Sequence, residues 1–427
     1  MEFLLTLALL GQGAVPGPTG VELEKLWDIS MQLPGTTEPL VLNPGAPVPC
    51  GEGVVFRAKE LTVPMSWAYH VTSTSLEVFV DDETIIPGTS ETFAEIADFQ
   101  CSGDGVYSFI GLGEEPLPGG AFSGSPGALT LIQSNGVAVD GHDIRLWVQA
   151  SASEAGAALL GHRDPLFLGE MIALKPTGQN PVYVADFSTI LPGQSQPATS
   201  FDSPRMMGSG FVFRAQSPPL AQGLYRWSET EGFSLLVDNS TPVPGFPGTF
   251  AGVGRIAVLD FGVAFSAGFS GGLGIFLVDE QGQIEPFILP GEMTVEGETL
   301  LAAFIPKGKG RFVAFGGVTD ATAPREGVFA RTPDGSIYRI VAEGDIVDGK
   351  PADRVFYDAD DRSVALRFDT HPPDPADFDQ RVYRVTFGDT PVVEIPALST
   401  FGRLALALAL AFLALWRLAV GRIQFGR

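Results

Sequence analysis

Short apolar runs separated by Gly, Pro and polar residues recur along most of the chain, and they keep time. A strand followed by a turn ends in Gly at Met-Gln-Leu-Pro-Gly35, Thr-Ile-Ile-Pro-Gly88, Val-Ala-Val-Asp-Gly141, Thr-Ile-Leu-Pro-Gly193, Thr-Pro-Val-Pro-Gly245, Met-Thr-Val-Glu-Gly297 and Asp-Ile-Val-Asp-Gly349. The successive spacings are 53, 53, 52, 52, 52 and 52 residues. A turn leaving a strand often needs a positive φ, which Gly alone adopts without strain. An apolar run follows each Gly: Val54–Phe56, Val106–Phe109, Ala157–Leu160, Phe211–Phe213, Val263–Phe265, Val313–Phe315 and Val364–Leu366. Continuous apolar runs of this length suit strands buried on both faces. A third marker is a strand with an aromatic, at Val182-Tyr183, Leu224-Tyr225, Ile275-Phe276, Val328-Phe329 and Val382-Tyr383.

The clearest unit, Phe250–Gly297, reads as strands ending at Leu259 and at Val263–Phe269, Gly274–Asp279 and Ile284–Leu289. Four strands per unit and seven units predict an all-β, seven-bladed β-propeller over residues 21–390. The ends support closure. Leu26–Leu33 has the character of a fourth strand, and Val382–Phe387 that of a third with no marker after it. The N-terminal strand is therefore expected to complete the last blade. A β-solenoid is the alternative, although its coils are usually shorter. Sandwich domains run to about 100 residues and fit the period less well.

Composition agrees. The chain has 427 residues with 52 Gly, 34 Pro and 18% charged residues, which argues against a helical body, and its 45% hydrophobic content argues against disorder. A net charge of −24 repels polyanions, so nucleic acid is not an expected partner.

The two ends carry other signals. Residues 1–20 open on an apolar stretch followed by small residues, like the later part of a secretory signal peptide, but Glu2 stands where a basic residue belongs. Either the true start lies upstream or the signal is weak; a first strand of the body is the other reading. Residues 391–403 read as a linker and a short motif. Leu404–Val420 is an apolar run of seventeen residues with one charge, Arg417. As a helix it would cover roughly 25 Å, near the lower limit for a bilayer core. Residues 421–427 are basic through Arg422 and Arg427, which predicts a cytoplasmic C-terminus.

Two resemblances attach to these residues. Ile395, Pro396, Ala397, Leu398, Ser399, Phe401 and Gly402, followed by the apolar run and basic end, resemble the IPTL-type C-terminal sorting signal of Gram-negative bacteria. This sequence has Ala397 where that pattern has Thr and Phe401 where it has Trp. The resemblance implies recognition and cleavage by an exosortase, a membrane-embedded transpeptidase-like enzyme, as partner. The rhythm of the body, with Val263-Ala264-Phe265 and Val313-Ala314-Phe315, is similar to bacterial tandem-repeat proteins marked by Asn-x-x-Gly-x-x-Ala-Phe with a variable C-terminal anchor. That resemblance implies fold and surface display only.

Candidate chemistry is sparse. Cys50 and Cys101 hold nearly equivalent places in adjacent units, so a blade-to-blade disulfide is the expected pairing, with two buried thiols as the alternative. The histidines, His70, His142, His162 and His371, show no metal-ligand spacing. Gly268-Phe-Ser270-Gly-Gly272 spells a nucleophile elbow, but a strand rather than a helix is expected to follow. Gly344–Lys350 spells most of a phosphate-binding loop, but Pro351 stands where Ser or Thr is needed. The acidic stretches Asp81–Glu83 and Asp358–Asp361 lack a calcium-loop layout. Thr370–Asp379 reads as an exposed loop. No catalytic, metal-binding or cofactor-binding residue is assigned. The expected function is that of an exported, membrane-anchored or surface-displayed propeller that binds a protein or glycan or acts structurally. The alternative is an extracellular propeller glycan hydrolase or lyase, which requires convergent acids or histidines at one mouth of the channel, whereas an apolar, Gly-lined mouth would favour binding.

Overall fold

A computed structural model describes residues 21–387 apart from 32, 37–39, 43–44, 61–66, 104, 114–118, 164–168, 219–220, 311, 321–323 and 371–378. The chain divides into two compact units, Met1–Gly388 and Asp389–Arg427, and the second lies outside the described residues.

Seven antiparallel sheets follow one another along the first unit. Blade 1 contains β2 (Leu40–Leu42), β3 (Val48–Cys50), β4 (Gly53–Glu60), β5 (Trp67–Val71) and β6 (Leu76–Val80), with β2 and β3 both paired to β4. Blade 2 is β7 (Glu95–Gly103) to β10 (Ala128–Ser134), and blade 3 is β11 (Leu146–Ser153) to β14 (Val182–Asp186). Blade 4 is β15 (Ser200–Met207) to β18 (Gly232–Asp238), and blade 5 is β19 (Gly252–Leu259) to β22 (Ile284–Ile288). Blade 6 is β23 (Leu300–Lys309) to β26 (Ile337–Ala342). A hairpin of β27 (Ile346–Val347) and β28 (Lys350–Pro351) leads into blade 7. Blade 7 is β29 (Arg354–Ala359), β30 (Ser363–Thr370) and β31 (Asp379–Phe387), completed by β1 (Val21–Asp28) on β31. The chain is thus a seven-bladed β-propeller closed by its N-terminal strand.

The innermost strands, β3, β7, β11, β15, β19, β23 and β29, touch in that order, and β29 returns to β3, so the ring is complete. No blade has a core of its own. Seven apolar clusters each straddle one junction; one joins Val212 and Leu224 of blade 4 to Val263 and Phe265 of blade 5, and another joins Trp27 and Val382 of blade 7 to Phe56 and Tyr69 of blade 1. A blade buries both faces only between its neighbours, as in other repeat architectures. This is why the second strands carry unbroken apolar runs: Gly262–Phe269 is buried at all but one position.

The marker glycines sit where the chain leaves an outermost strand. Gly35, Gly88, Gly193 and Gly245 have φ of 79°, 85°, 80° and 77° after a proline, the requirement of a type II turn. The residue after each donates its backbone N–H to the carbonyl three residues back, as Thr89 does to Ile86. At Gly141 and Gly349 the preceding Asp140 and Asp348 also have positive φ, which matches the Asp-Gly hairpin turn.

The aromatic marker does not keep one place in the blade: Val182-Tyr183 belongs to β14, the fourth strand, whereas the third, β13 (Glu170–Pro176), carries Met-Ile-Ala-Leu and no aromatic. One expectation needs correction. The N-terminal strand ends at Asp28 rather than running to Leu33, because Asp28 caps a turn there: its carboxylate accepts from the Ser30 N–H at 2.9 Å.

Candidate functional site

The innermost strands enclose a cavity of about 370 Å3 on the axis, bounded by side chains from all seven. It lies at their C-terminal ends, where each first strand turns into the second. Because side chains alternate along a strand, one position per blade can face the axis at each level. One such level holds Gln100, Ser151, Arg205, Ile256, Lys307 and Asp358, and two residues further on Ser102, Ser153, Met207, Val258, Lys309 and Asp360 follow.

Bulges set this register. The pairing of first and second strands slips between Ala97 and Gln100, between Asp202 and Arg205, between Val253 and Ile256, and between Phe304 and Lys307. In blades 2, 4 and 6 the bulge contains a non-glycine residue at positive φ: Asp98 at 52°, Ser203 at 56° and Ile305 at 50°. Such a backbone costs about 1–3 kcal/mol and persists only when its surroundings hold it. They do: the Ser203 N–H donates to Gln149 Oε1 at 3.0 Å, and the Tyr357 hydroxyl of blade 7 donates to the Ile305 carbonyl at 2.7 Å. The residue after each of these bulges is the polar one, Gln100, Arg205 or Lys307. A bulge that re-aims a side chain in this way is a recurrent device beside binding sites.

The charges in the cavity are not equivalent. Lys307 Nζ pairs with Asp358 Oδ2 of the next blade at 3.0 Å. Asp360 is 1% exposed, and its oxygens are occupied. Oδ1 accepts from the Arg362 and Ser363 N–H groups at 2.9 and 2.7 Å, and Oδ2 accepts from the Gly51 N–H across the blade 7 to blade 1 junction at 3.0 Å. Burial raises its pKa despite those bonds. Asp98, in the bulge just before Gln100, is not among the residues that line the cavity; burial raises its pKa as well, against the opposing charge of Arg205. Gln100 Nε2 donates to Asp98 Oδ2 at 3.1 Å. Arg205 has one hydrogen bond, from Nη1 to the Pro204 carbonyl at 3.1 Å, and makes no ion pair among the described residues. Lys309 is exposed, and its ammonium stands within 3.2 Å of the point where a Cβ on Gly103 would sit, so it reaches from blade 6 to blade 2. The mouth therefore matches neither sequence expectation. It is not apolar and Gly-lined, and the acids that converge there are largely engaged.

Beside this site, Cys50 and Cys101 are joined, with Sγ–Sγ 2.10 Å and Cα–Cα 5.2 Å, tying the innermost strands of blades 1 and 2. Three arginines at one position of the second strand staple neighbouring blades further along the channel. Arg57 donates to the Ile96 carbonyl at 2.9 Å, Arg214 to Val253 at 3.4 Å and Arg367 to Gly45 at 3.3 Å.

The remaining sequence candidates have structural roles. Ser270 lies in the two-residue turn between β20 (Gly262–Phe269) and β21 (Gly272–Val278), and its hydroxyl donates to the Pro247 carbonyl at 3.1 Å. Gly349 turns the β27–β28 hairpin, so no helix follows it to receive a phosphate. Asp81 is a turn cap: its Oδ1 accepts from the Glu83 N–H at 3.2 Å and from the Thr84 hydroxyl at 2.5 Å. Asp186 and Asp238 do the same seven residues before their marker glycines. His70 contacts Glu77 Oε1 at 3.1 Å, His142 stacks on Tyr183 at 4.1 Å, and His162 is buried. Among the described residues no group of three or more His, Cys, Asp or Glu is placed to hold a metal ion, and no helix is long and apolar enough to cross a membrane. His371, most of Thr370–Asp379, the motif Ile395–Gly402 and the run Leu404–Val420 lie outside the described residues. Sequence reading missed Asp98, Arg205, Lys307 and Lys309; their signal is the 51-residue step that carries Ile256 to Lys307 and on to Asp358.

No protein-family model matches the chain, and no curated protein matches it in sequence. Several solved structures are similar. An oligogalacturonate lyase from Vibrio parahaemolyticus is 11% identical with a TM-score of 0.47, the match covering 86% of this chain and 98% of that one. Prolyl oligopeptidase B from Galerina marginata is 9% identical with a TM-score of 0.45, covering 77% of this chain and 47% of that one. A puromycin-hydrolysing peptidase from Mycobacterium tuberculosis is 12% identical with a TM-score of 0.40, covering 78% of this chain, which spans 59% of the peptidase.

Proposed function

We propose that this chain is an exported β-propeller, anchored in the cell envelope or displayed on its surface, that binds a small ligand, or a protruding group of a protein or glycan, in its axial cavity. The observation that carries the binding role is the cavity itself: about 370 Å3, built by one strand from every blade, with an arginine, Arg205, that makes no direct ion pair among the described residues. A closed ring of strands is a rigid frame, so polar groups aimed into it are pre-organised. Export is supported by the Cys50–Cys101 pairing, since disulfides persist in oxidising compartments, and by the order of motif, apolar run and basic end over residues 395–427. The tail's resemblance to the IPTL-type signal supports an exosortase as its processing partner, and the repeat rhythm's similarity to choice-of-anchor surface proteins supports surface display.

Two measurements test this reading. The first is the intact mass of the protein from its host's envelope: loss of Leu404–Arg427 is expected, and a retained tail would mean a plain membrane anchor. The second is native mass spectrometry of the same material. A bound small molecule, or co-purifying partner, is expected, and Ser153→Trp should remove it by filling the cavity. A partner retained by that variant would place binding elsewhere.

A glycan hydrolase or lyase working at the same cavity is the second reading. It draws on the carboxylate of Asp358 in the cavity lining. The ion pair of Asp358 with Lys307 weighs against it, because a carboxylate held by a lysine is poorly placed to take or give a proton.

A further inference from the structure

We propose that the axial cavity is an oxyanion site, in which Arg205 and Lys309 bind the carboxylate or phosphate group of a small polar ligand. This deepens the binding role above and rests on it. Two cations of this cavity have no direct ion pair among the described residues, although the Asp98 charge acts on Arg205. The chain carries 50 acidic and 26 basic residues, so a cation without an acid beside it is unexpected. Arg205 and Lys309 line one cavity, and neither makes an ion pair among the described residues. The cavity's other cation, Lys307, is already taken by Asp358, and Asp360 has its oxygens filled by backbone N–H groups and so does not compete for Arg205. Asp98 is the carboxyl nearest in effect to Arg205, yet it is turned to Gln100 and to the Ala150 N–H and makes no ion pair. Asp260 and Glu280 are exposed residues of the same lining, and the Asp260 N–H donates to the Gly310 carbonyl beside Lys309, so these acids oppose an anion from that side. One hydroxyl of the wall, Ser102 Oγ, is buried without a hydrogen-bond partner and needs a small side-chain rotation to donate into the cavity. A guanidinium fork matches a carboxylate or phosphate edge with two parallel bonds, whereas the ammonium of Lys309 acts as a point charge.

The test titrates the full chain with inorganic phosphate and, separately, with malonate, each at constant ionic strength set by sodium chloride. Thermal midpoint is the readout. A saturating rise with one of the two anions is expected, and which one responds separates phosphate from carboxylate ligands. Arg205→Gln should weaken the apparent affinity at least about tenfold, the loss of a charge-assisted hydrogen bond. Lys309→Gln should weaken it less. Arg163→Gln serves as control, because that arginine pairs with Asp186 on the outermost strand of blade 3, away from the cavity, and should leave affinity unchanged. No saturable rise with either anion, or equal losses in Arg205→Gln and Arg163→Gln, overturns the proposal. If both anions fail while native mass spectrometry shows a neutral ligand that Ser153→Trp removes, the oxyanion site is wrong and the binding role stands.

Discussion

Blades 5 and 7 have the same strand order and are held together in opposite ways. Blade 5 forms from one run of chain, Gly252–Ile288, and its packing is aromatic. Phe276 meets Phe250 edge-on at 4.9 Å and Phe269 at 5.3 Å, and no charged side chain of the blade is buried. Blade 7 takes three strands from the end of the propeller and β1 from its beginning, and it buries Arg367, Asp369, Asp379, Gln380 and Arg381. Arg367 grips Asp369 with two bonds of 2.7 and 2.6 Å, and Arg381 Nε lies 2.9 Å from Asp379. In blade 5, two-residue turns fix the register of the first two hairpins and a five-residue turn joins the third, so apolar packing is enough. In blade 7, β1 must find β31 with no turn to guide it, and apolar contacts alone would tolerate a slip. Polar pairs satisfied in one register only are the kind of device that resolves such an ambiguity.

The largest effect should come from removing β1. A chain starting after Asp28 leaves the β31 edge unpaired and opens the junction where Trp27 packs with Phe56. Loss of a cooperative thermal transition is expected by circular dichroism, since a blade without its neighbour cannot bury its faces. A sharp transition near the original midpoint would mean that closure contributes little.

Single substitutions then contrast the two blades. Phe265→Ala in blade 5 and Arg367→Ala in blade 7 should each cost about 3–5 kcal/mol in urea unfolding, the first by a cavity, the second by leaving Asp369 buried without its partner. The difference appears on double replacement. Arg367→Met with Asp369→Leu should cost less than Arg367→Ala alone, because a buried pair adds little net stability. If the double variant is the worse of the two, the network stabilises rather than selects. Beside the closure, reducing the Cys50–Cys101 bond should cost about 2–4 kcal/mol, visible as a lower urea midpoint in dithiothreitol.

Acid should separate the blades in a single experiment. Asp28 and Asp348, both around the β1 closure, have lowered pKa values: burial pushes each up, but hydrogen bonds from Ser30 and Lys25 to Asp28, and from Tyr383 and Lys25 to Asp348, outweigh it. A carboxylate held low stabilises the fold above its unfolded value near 3.8 and loses that contribution as pH falls through its folded value. Amide exchange in β1 and β31 should therefore accelerate below about pH 4 relative to β20 and β21, after correction for intrinsic rates. Equal loss of protection in both blades would remove the electrostatic distinction.

The parts of this molecule legible in sequence are those dictated by one residue's own constraints. A turn that needs positive φ shows as Gly, and a strand buried on both faces shows as an apolar run, so the period and all seven second strands could be read. The third strand of blade 3 could not, because Glu170–Pro176 fills its place with aliphatic residues and the aromatic Tyr183 falls in the next strand. Asp81 looked like part of an acidic cluster because its role depends on a backbone N–H two residues on. The cavity was illegible for a deeper reason. Arg205 and Lys309 are 104 residues apart, and only the bulged, closed ring turns both onto one axis.

The smallest effect tests the register argument most directly. Glu24 and Arg384 are cross-strand partners in the β1–β31 ladder, and their side chains meet at 2.7 Å. Glu24 is one-third exposed, so Glu24→Gln should cost under about 1 kcal/mol. A slip of one residue, however, would carry Glu24 to the opposite face of the sheet and separate it from Arg384. Glu24→Arg is then the informative variant, because like charges would face each other only in the native register. It should lower the midpoint modestly, and Glu24→Arg with Arg384→Glu should restore it. If Glu24→Arg changes nothing, the pair does not report on register, and the choice falls to Trp27 and the apolar side chains around it.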